Sequence, residues 1–159
     1  IIGICGGAAV LSQKVGIKWF DVPIPTAGLV PVKSELGWKI GFVSISPTSY
    51  LNITSRRFEM LYFLGPVMTS IGNNVTPLAY YNTIGYANNK LAIVKYDIGN
   101  GSVILIGPHP EYTNAGLLLY FIKNAKHDRG ISKGKILSKS GLGKLFSVYW
   151  WVKRFEKIL

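Results

Sequence analysis

At 159 residues and 48% hydrophobic, with 18 glycines and 8 prolines, the chain is long and apolar enough to bury the core of one domain and is not compositionally disordered. One cysteine and two histidines exclude a disulfide framework and leave no usual ligand spacing for a metal, so no cofactor is expected. The net charge of +11 is uneven: residues 1–122 hold eight Lys/Arg against five Asp/Glu, and residues 123–159 hold ten against two.

In chain order, Ile1 to Ile4 reads as a strand and Gly6 to Lys14 as a short helix ended by Gly16. Residues 19–37, with Pro23, Pro25 and Pro31, read as loop or short extended pieces near the rim of an active site. Trp38 to Ile45 and Phe58 to Leu64 carry β-branched and aromatic residues in strand patterns, while Asn73-Asn74 and Asn88-Asn89 mark turns. Leu91 to Tyr96 and Ser102 to Ile106 form a hairpin, with Asn100-Gly101 expected to supply the positive φ of its turn. Asn114 to Lys126 reads as a helix that packs through Leu117, Leu118, Phe121 and Ile122. This divides the chain into a domain over 1–126 and an appendage over 127–159.

Two segments carry chemistry. Gly3-Ile4-Cys5-Gly6-Gly7 has the G-x-C-x-G form of a nucleophile elbow, a sharp strand-to-helix turn that holds one side chain proud of the backbone. Gly3 and Gly7 leave room for strand and helix to pass, and Gly6 avoids a Cβ clash. At the first turn of a helix the Cys5 thiol feels the positive end of the dipole, and the N–H of Gly6 points where an oxyanion would form. Gly107-Pro108-His109-Pro110-Glu111 supplies a base and its orienting acid: in an extended segment His109 and Glu111, two apart, project on the same side. The competing readings are a buried structural cysteine, a phosphate-binding turn at the helix N-terminus, and an ordinary His-Pro-Glu loop.

These residues resemble a known family. Gly3-Ile4-Cys5-Gly6-Gly7-Ala8, Leu64-Gly65-Pro66-Val67, and the run from Leu91 through Gly99-Asn100-Gly101 to Gly107-Pro108-His109-Pro110-Glu111 resemble the class I glutamine amidotransferase-like domains. The resemblance is greatest to the branch named for the N-terminal domain of biotin-protein ligase, over roughly residues 1 to 124. It implies an α/β fold in three layers, with a mostly parallel, flavodoxin-like sheet and a nucleophile elbow. It also implies a Cys-His-Glu triad of Cys5, His109 and Glu111 that attacks a carboxamide or related carbonyl through a thioester.

In that family a βαβα half precedes the elbow and carries the second oxyanion donor, whereas here the elbow strand begins at Ile1. A strand with one neighbour missing exposes a sheet edge, so upstream polypeptide or a second subunit is expected to complete the sheet. The alternatives to an enzyme are a non-catalytic binding or regulatory descendant or fragment of the fold, or a surface-associated protein that uses its basic tail.

The tail from His127 onward interleaves glycine, serine and lysine, and Ser147 to Leu159 concentrates Tyr149, Trp150, Trp151 and Phe155 with Lys153, Arg154 and Lys157. It reads as a terminal amphipathic helix, with an anionic membrane surface as a candidate partner; it is too short and too charged to span a bilayer. No nucleic-acid-reading module accompanies the charge, so a small-molecule amide is the expected partner of the site. Asn52-Ile53-Thr54 and Asn74-Val75-Thr76 match the glycosylation pattern without other signs of secretion, and a cytoplasmic location is expected.

Overall fold

A computed structural model describes residues 1–17, 24–51 and 57–113. The expected helix over 114–126, the tail with its terminal helix, the 126/127 boundary, Asn52 and His127 lie outside the described residues. The chain divides into two compact units, Ile1–Asn114 and Ala115–Leu159, and everything below concerns the first.

Nine strands make one mixed sheet: β1 (Ile2–Ile4), β2 (Ser12–Ile17), β3 (Val30–Leu36), β4 (Ile40–Pro47), β5 (Phe58–Phe63), β6 (Val67–Ser70), β7 (Val75–Tyr81), β8 (Leu91–Ile98) and β9 (Gly101–Ile106). Helix α1 (Gly6–Leu11) follows β1, and α2 (Pro110–Thr113) follows β9. Strand order is β2-β3-β6-β8-β7-β4-β5, with β9 joining β8 and β1 joining β9. Only β1–β9 and β2–β3 run parallel; the remaining pairings are antiparallel. The class is α/β, and the expectation of a mostly parallel sheet is corrected. Three of the eight pairings, β4–β5, β7–β8 and β8–β9, are hairpins between consecutive strands, whose short connections cannot carry the crossover a parallel pair needs.

The hairpin of β8 and β9 forms as expected, with Ile98 paired to Gly101 across a two-residue turn. The positive φ falls on Gly99, at 54°, rather than on Asn100-Gly101. This places the permissive residue at the first central position, as a type II′ turn requires. Ser102 Oγ donates to Asp97 Oδ1 at 2.6 Å beside it.

One further expectation changes. The helix after Cys5 ends at Leu11, not Lys14, because Ser12 turns into β2. Ser12 is fully buried; its hydroxyl donates to the Ala8 carbonyl at 2.8 Å and meets Ser34 Oγ at 2.7 Å, so it both ends the helix and clamps β2 onto β3. The stretch 19–37, expected as loop or short extended pieces, contains β3 as such a piece, with Val30, Val32 and Ser34 buried in strand alternation. Pro31 is tolerated because it sits where the β2–β3 register shifts, between Ser12/Val30 and Lys14/Lys33. Pro77 in β7 likewise lies at a register shift against β8.

The core on the α1 side joins Ala8, Val30, Val32, Met68, Val103 and Leu105. Residues Val103 to Ile106 of β9 are buried on both faces, which marks β9 as a central strand. Strand β1 pairs only with β9 among the described residues.

Candidate functional site

The parallel register of β1 on β9 decides where the site lies. Ile4 is level with Ile106, and the Cys5 N–H continues the ladder to the Ile106 carbonyl at 2.9 Å. Cys5 therefore stands beside Gly107, two residues ahead of His109. A residue at the N-terminus and one a hundred positions later share one end of the sheet.

Cys5 has φ 51° and ψ −113°, which is rare for a side chain larger than glycine's hydrogen. Such a conformation costs on the order of 1–3 kcal/mol and persists only where its surroundings impose it. Here the Cys5 amide is held by β9 and its carbonyl accepts from Ala9 N–H at 3.1 Å, opening α1. The Gly6 N–H belongs to that first turn, whose amides have no acceptor within the helix. Gly3 is required for packing: a Cβ there would lie 2.8 Å from Leu11 Cδ1 and 2.9 Å from the Gly7 carbonyl. The steric reasons expected for Gly6 and Gly7 do not hold, because a Cβ on either would meet no described atom within 4 Å. Both are exposed, and it is their backbone, not their missing side chains, that the strand approaches.

His109 is fixed by β5. Its N–H donates to the Leu61 carbonyl at 2.8 Å, as an isolated antiparallel bridge at the sheet end. The chain turns into α2 at Pro110, so Glu111 reaches His109 from a first helical turn rather than from an extended segment. The pairing itself forms: His109 Nδ1 and Glu111 Oε1 are 2.7 Å apart. His109 Nε2 and Glu111 Oε2 are buried and have no hydrogen-bond partner among the described residues. Cys5, and next the Glu111 hydrogen bond, push the His109 pKa up from 6.5 to about 9, against the opposing effect of burial. The Cys5 thiol itself, half-buried, donates to the Phe63 carbonyl at 3.6 Å.

The remaining wall of the site was legible in the sequence only as a Gly-Pro turn. Leu64 adopts φ 53°, and Gly65-Pro66 then crosses in front of Cys5. A Cβ at Gly65 would lie 3.5 Å from Cys5 Sγ and 2.3 Å from the Gly107 carbonyl oxygen; one at Gly107 would lie 2.3 Å from both Pro66 O and Tyr81 Oη. Glycine is needed at both positions because two backbones and a phenol meet there. Tyr62 donates to the Gly65 carbonyl and Tyr81 to the Pro66 carbonyl at 2.9 Å. Both rings are fully buried and stack edge-to-face with each other at 5.8 Å and with Trp38 at 5.2 and 6.1 Å. Burial, above all, raises both phenol pKa values, with Cys5 contributing to each. The signal available in the sequence was strand alternation that turns Tyr62 inward, since a buried tyrosine needs an acceptor for its hydroxyl.

Among the described residues no group of His, Cys, Asp and Glu is arranged to hold a metal, and no helix is long and apolar enough to cross a membrane.

A strained strand-to-helix cysteine at the end of an α/β sheet, facing a histidine–glutamate pair, places the molecule in a known fold. The described unit has the fold of a crystal structure of a glutamine amidotransferase, with TM-score 0.56 and 21% identity over 78% of this chain and 59% of that one. A second glutamine amidotransferase structure, from Thermotoga maritima, aligns with TM-score 0.45 and 13% identity over 77% of this chain and 45% of that one. This chain thus spans about three-fifths or less of these structures. No curated protein matches it. Residues 32–138 match the family described as biotin-protein ligase, N terminal, and the chain belongs to that family. The match includes Gly65, Gly107, His109 and Glu111; Cys5 precedes it.

Proposed function

We propose that this domain is an amidotransferase-like hydrolase in which Cys5, His109 and Glu111 form a nucleophile, acid–base and orienting triad. The observation that carries this reading is the His109–Glu111 pair at 2.7 Å with its other ring nitrogen buried and unpartnered, beside a cysteine held at φ 51°. Glu111 fixes the tautomer, so Nε2 is the nitrogen that exchanges protons with the thiol. A His109 pKa of about 9 leaves the imidazole protonated near neutrality, the form that can hand a proton to a departing nitrogen.

In this mechanism Cys5 Sγ adds to the carbon of a carboxamide, and the carbonyl oxygen takes the negative charge against the Gly6 N–H. His109 gives its proton to the departing nitrogen, which leaves as ammonia while the thioester forms. Neutral His109 then takes a proton from water, whose oxygen attacks the thioester and releases the carboxylate and the Cys5 thiol. The turn at Cys5 acts as the nucleophile elbow of a three-layer domain. That β1 pairs only with β9 among the described residues supports a further polypeptide, from the same chain or a second subunit, completing the sheet and supplying a second oxyanion donor.

Mass spectrometry of the protein incubated with an electrophilic analogue of glutamine tests the reading. One adduct on Cys5, lost in Cys5→Ser and slowed in His109→Ala, is expected. Absence of an adduct together with no ammonia release from a panel of primary amides would overturn it.

A further inference from the structure

We infer that Tyr62 and Tyr81 are positioning residues that hold Cys5 and His109 in register by pinning the Leu64–Pro66 turn between them. This rests on the Cys5–His109 reading above. The two hydroxyls grip consecutive carbonyls, Tyr62 that of Gly65 and Tyr81 that of Pro66 at 2.9 Å. The turn and the residue before it meet Cys5 on one side and the Gly107 backbone on the other. The carbonyl of Phe63, one residue before it, accepts the Cys5 thiol at 3.6 Å. The Cβ position of Gly65 lies 3.5 Å from Cys5 Sγ, and the Gly65 backbone abuts Gly107. Pro66 O and Tyr81 Oη together leave no space for a side chain at Gly107, which itself donates to Ala92 O at 2.9 Å and leads into His109.

Each tyrosine thus acts through a neighbour and does not meet a reacting atom. The Leu64 backbone is itself in the left-handed region, at φ 53°, and a strained turn keeps one conformation only if its surroundings over-determine it. Two buried phenols, locked edge-to-face with Trp38, are such surroundings. Without them the turn can relax, and the Phe63 carbonyl and Gly107 move with it. The thiol then loses the hydrogen bond to the Phe63 carbonyl that fixes its position.

Cys5 is the only cysteine, so iodoacetamide alkylation of the whole 159-residue protein reads this residue directly. The pH profile of alkylation should show a fast limb near pH 6–7 in the unsubstituted protein, as expected for a thiolate paired with imidazolium. Tyr62→Phe and Tyr81→Phe should each slow the pH 7 rate by roughly tenfold, corresponding to about 1.4 kcal/mol of lost positioning, and displace the profile toward that of an ordinary thiol. A purely structural role would lower the melting temperature and leave the folded-state profile unchanged; that result in both variants overturns the proposal.

Should a variant not fold, the unsubstituted protein serves. The carbon-13 ζ resonances of the two tyrosines with ring contacts to Trp38 should move when Cys5 is alkylated, and unmoved resonances overturn the proposal equally. The triad reading fails separately, if the unsubstituted protein and His109→Ala alkylate alike at the rate of a free thiol.

Discussion

The charge on His109 offers the sharpest quantitative test. Its pKa lies at about 9 in the folded protein against 6.5 for an ordinary histidine, raised first by Cys5 and then by Glu111. At about 1.4 kcal/mol per tenfold change in proton affinity, the full difference is worth at most about 3 kcal/mol. The side chain retains 23% of its exposure, so solvent screening brings the contribution to roughly 1–2 kcal/mol. Because the folded value is the higher one, this stabilisation is complete below about pH 6.5 and is lost as the pH rises through about 9. Glu111→Gln keeps the shape of the partner and removes its charge, so the titration should move down by about one to two pH units and the sloping window should narrow accordingly. Proton–carbon NMR of the histidine rings follows this directly: there are two histidines, and His109→Ala assigns the signals. Urea melts at pH 6.5 and 9 should show the matching loss of stability, absent in His109→Ala. A His109 midpoint near 6.5 in the unsubstituted protein, or one that Glu111→Gln leaves in place, refutes the assignment of charge in the site.

The glycines around Cys5 give opposing expectations. Gly3→Ala places a Cβ within 2.9 Å of the Gly7 backbone and should destabilise by about 1–3 kcal/mol, whereas Gly7→Ala, in the helix with open space beside it, should be neutral or stabilise by up to about 1 kcal/mol; urea melts separate the two. Gly107→Ala would bring a methyl to 2.3 Å from both Pro66 O and Tyr81 Oη, so it should cost at least about 1–3 kcal/mol and slow alkylation of Cys5 as the turn is displaced. Melts and alkylation rates that match the unsubstituted protein would show that the Gly107 contact is not tight in solution.

What the sequence determined by itself is local. The spacing of His109 and Glu111 is two residues, short enough for their side chains to meet where the chain turns into α2. The hairpin of β8 and β9 was equally legible, because apolar runs flank a turn that only a few residues can make. Gly3-Ile4-Cys5-Gly6-Gly7 announced a strained strand-to-helix turn, although only Gly3 proved necessary on steric grounds.

What only the tertiary structure decided depends on partners far away in the chain. Ser12–Lys14 reads as the end of a helix and becomes strand because Ser34 and Val30 are there to pair with it. Val30–Leu36 and Val75–Tyr81 each contain a proline that argues against a strand, and register shifts absorb the missing N–H in both. The turn over Leu64–Pro66 reads as an ordinary loop until Tyr62, Tyr81 and Gly107 close around it. Above all, nothing in the residues near Cys5 or near His109 specifies that β1 and β9 lie parallel with Ile4 level with Ile106. That pairing follows from burying both faces of β9, a property of the assembled sheet, and it is what turns two distant motifs into one site.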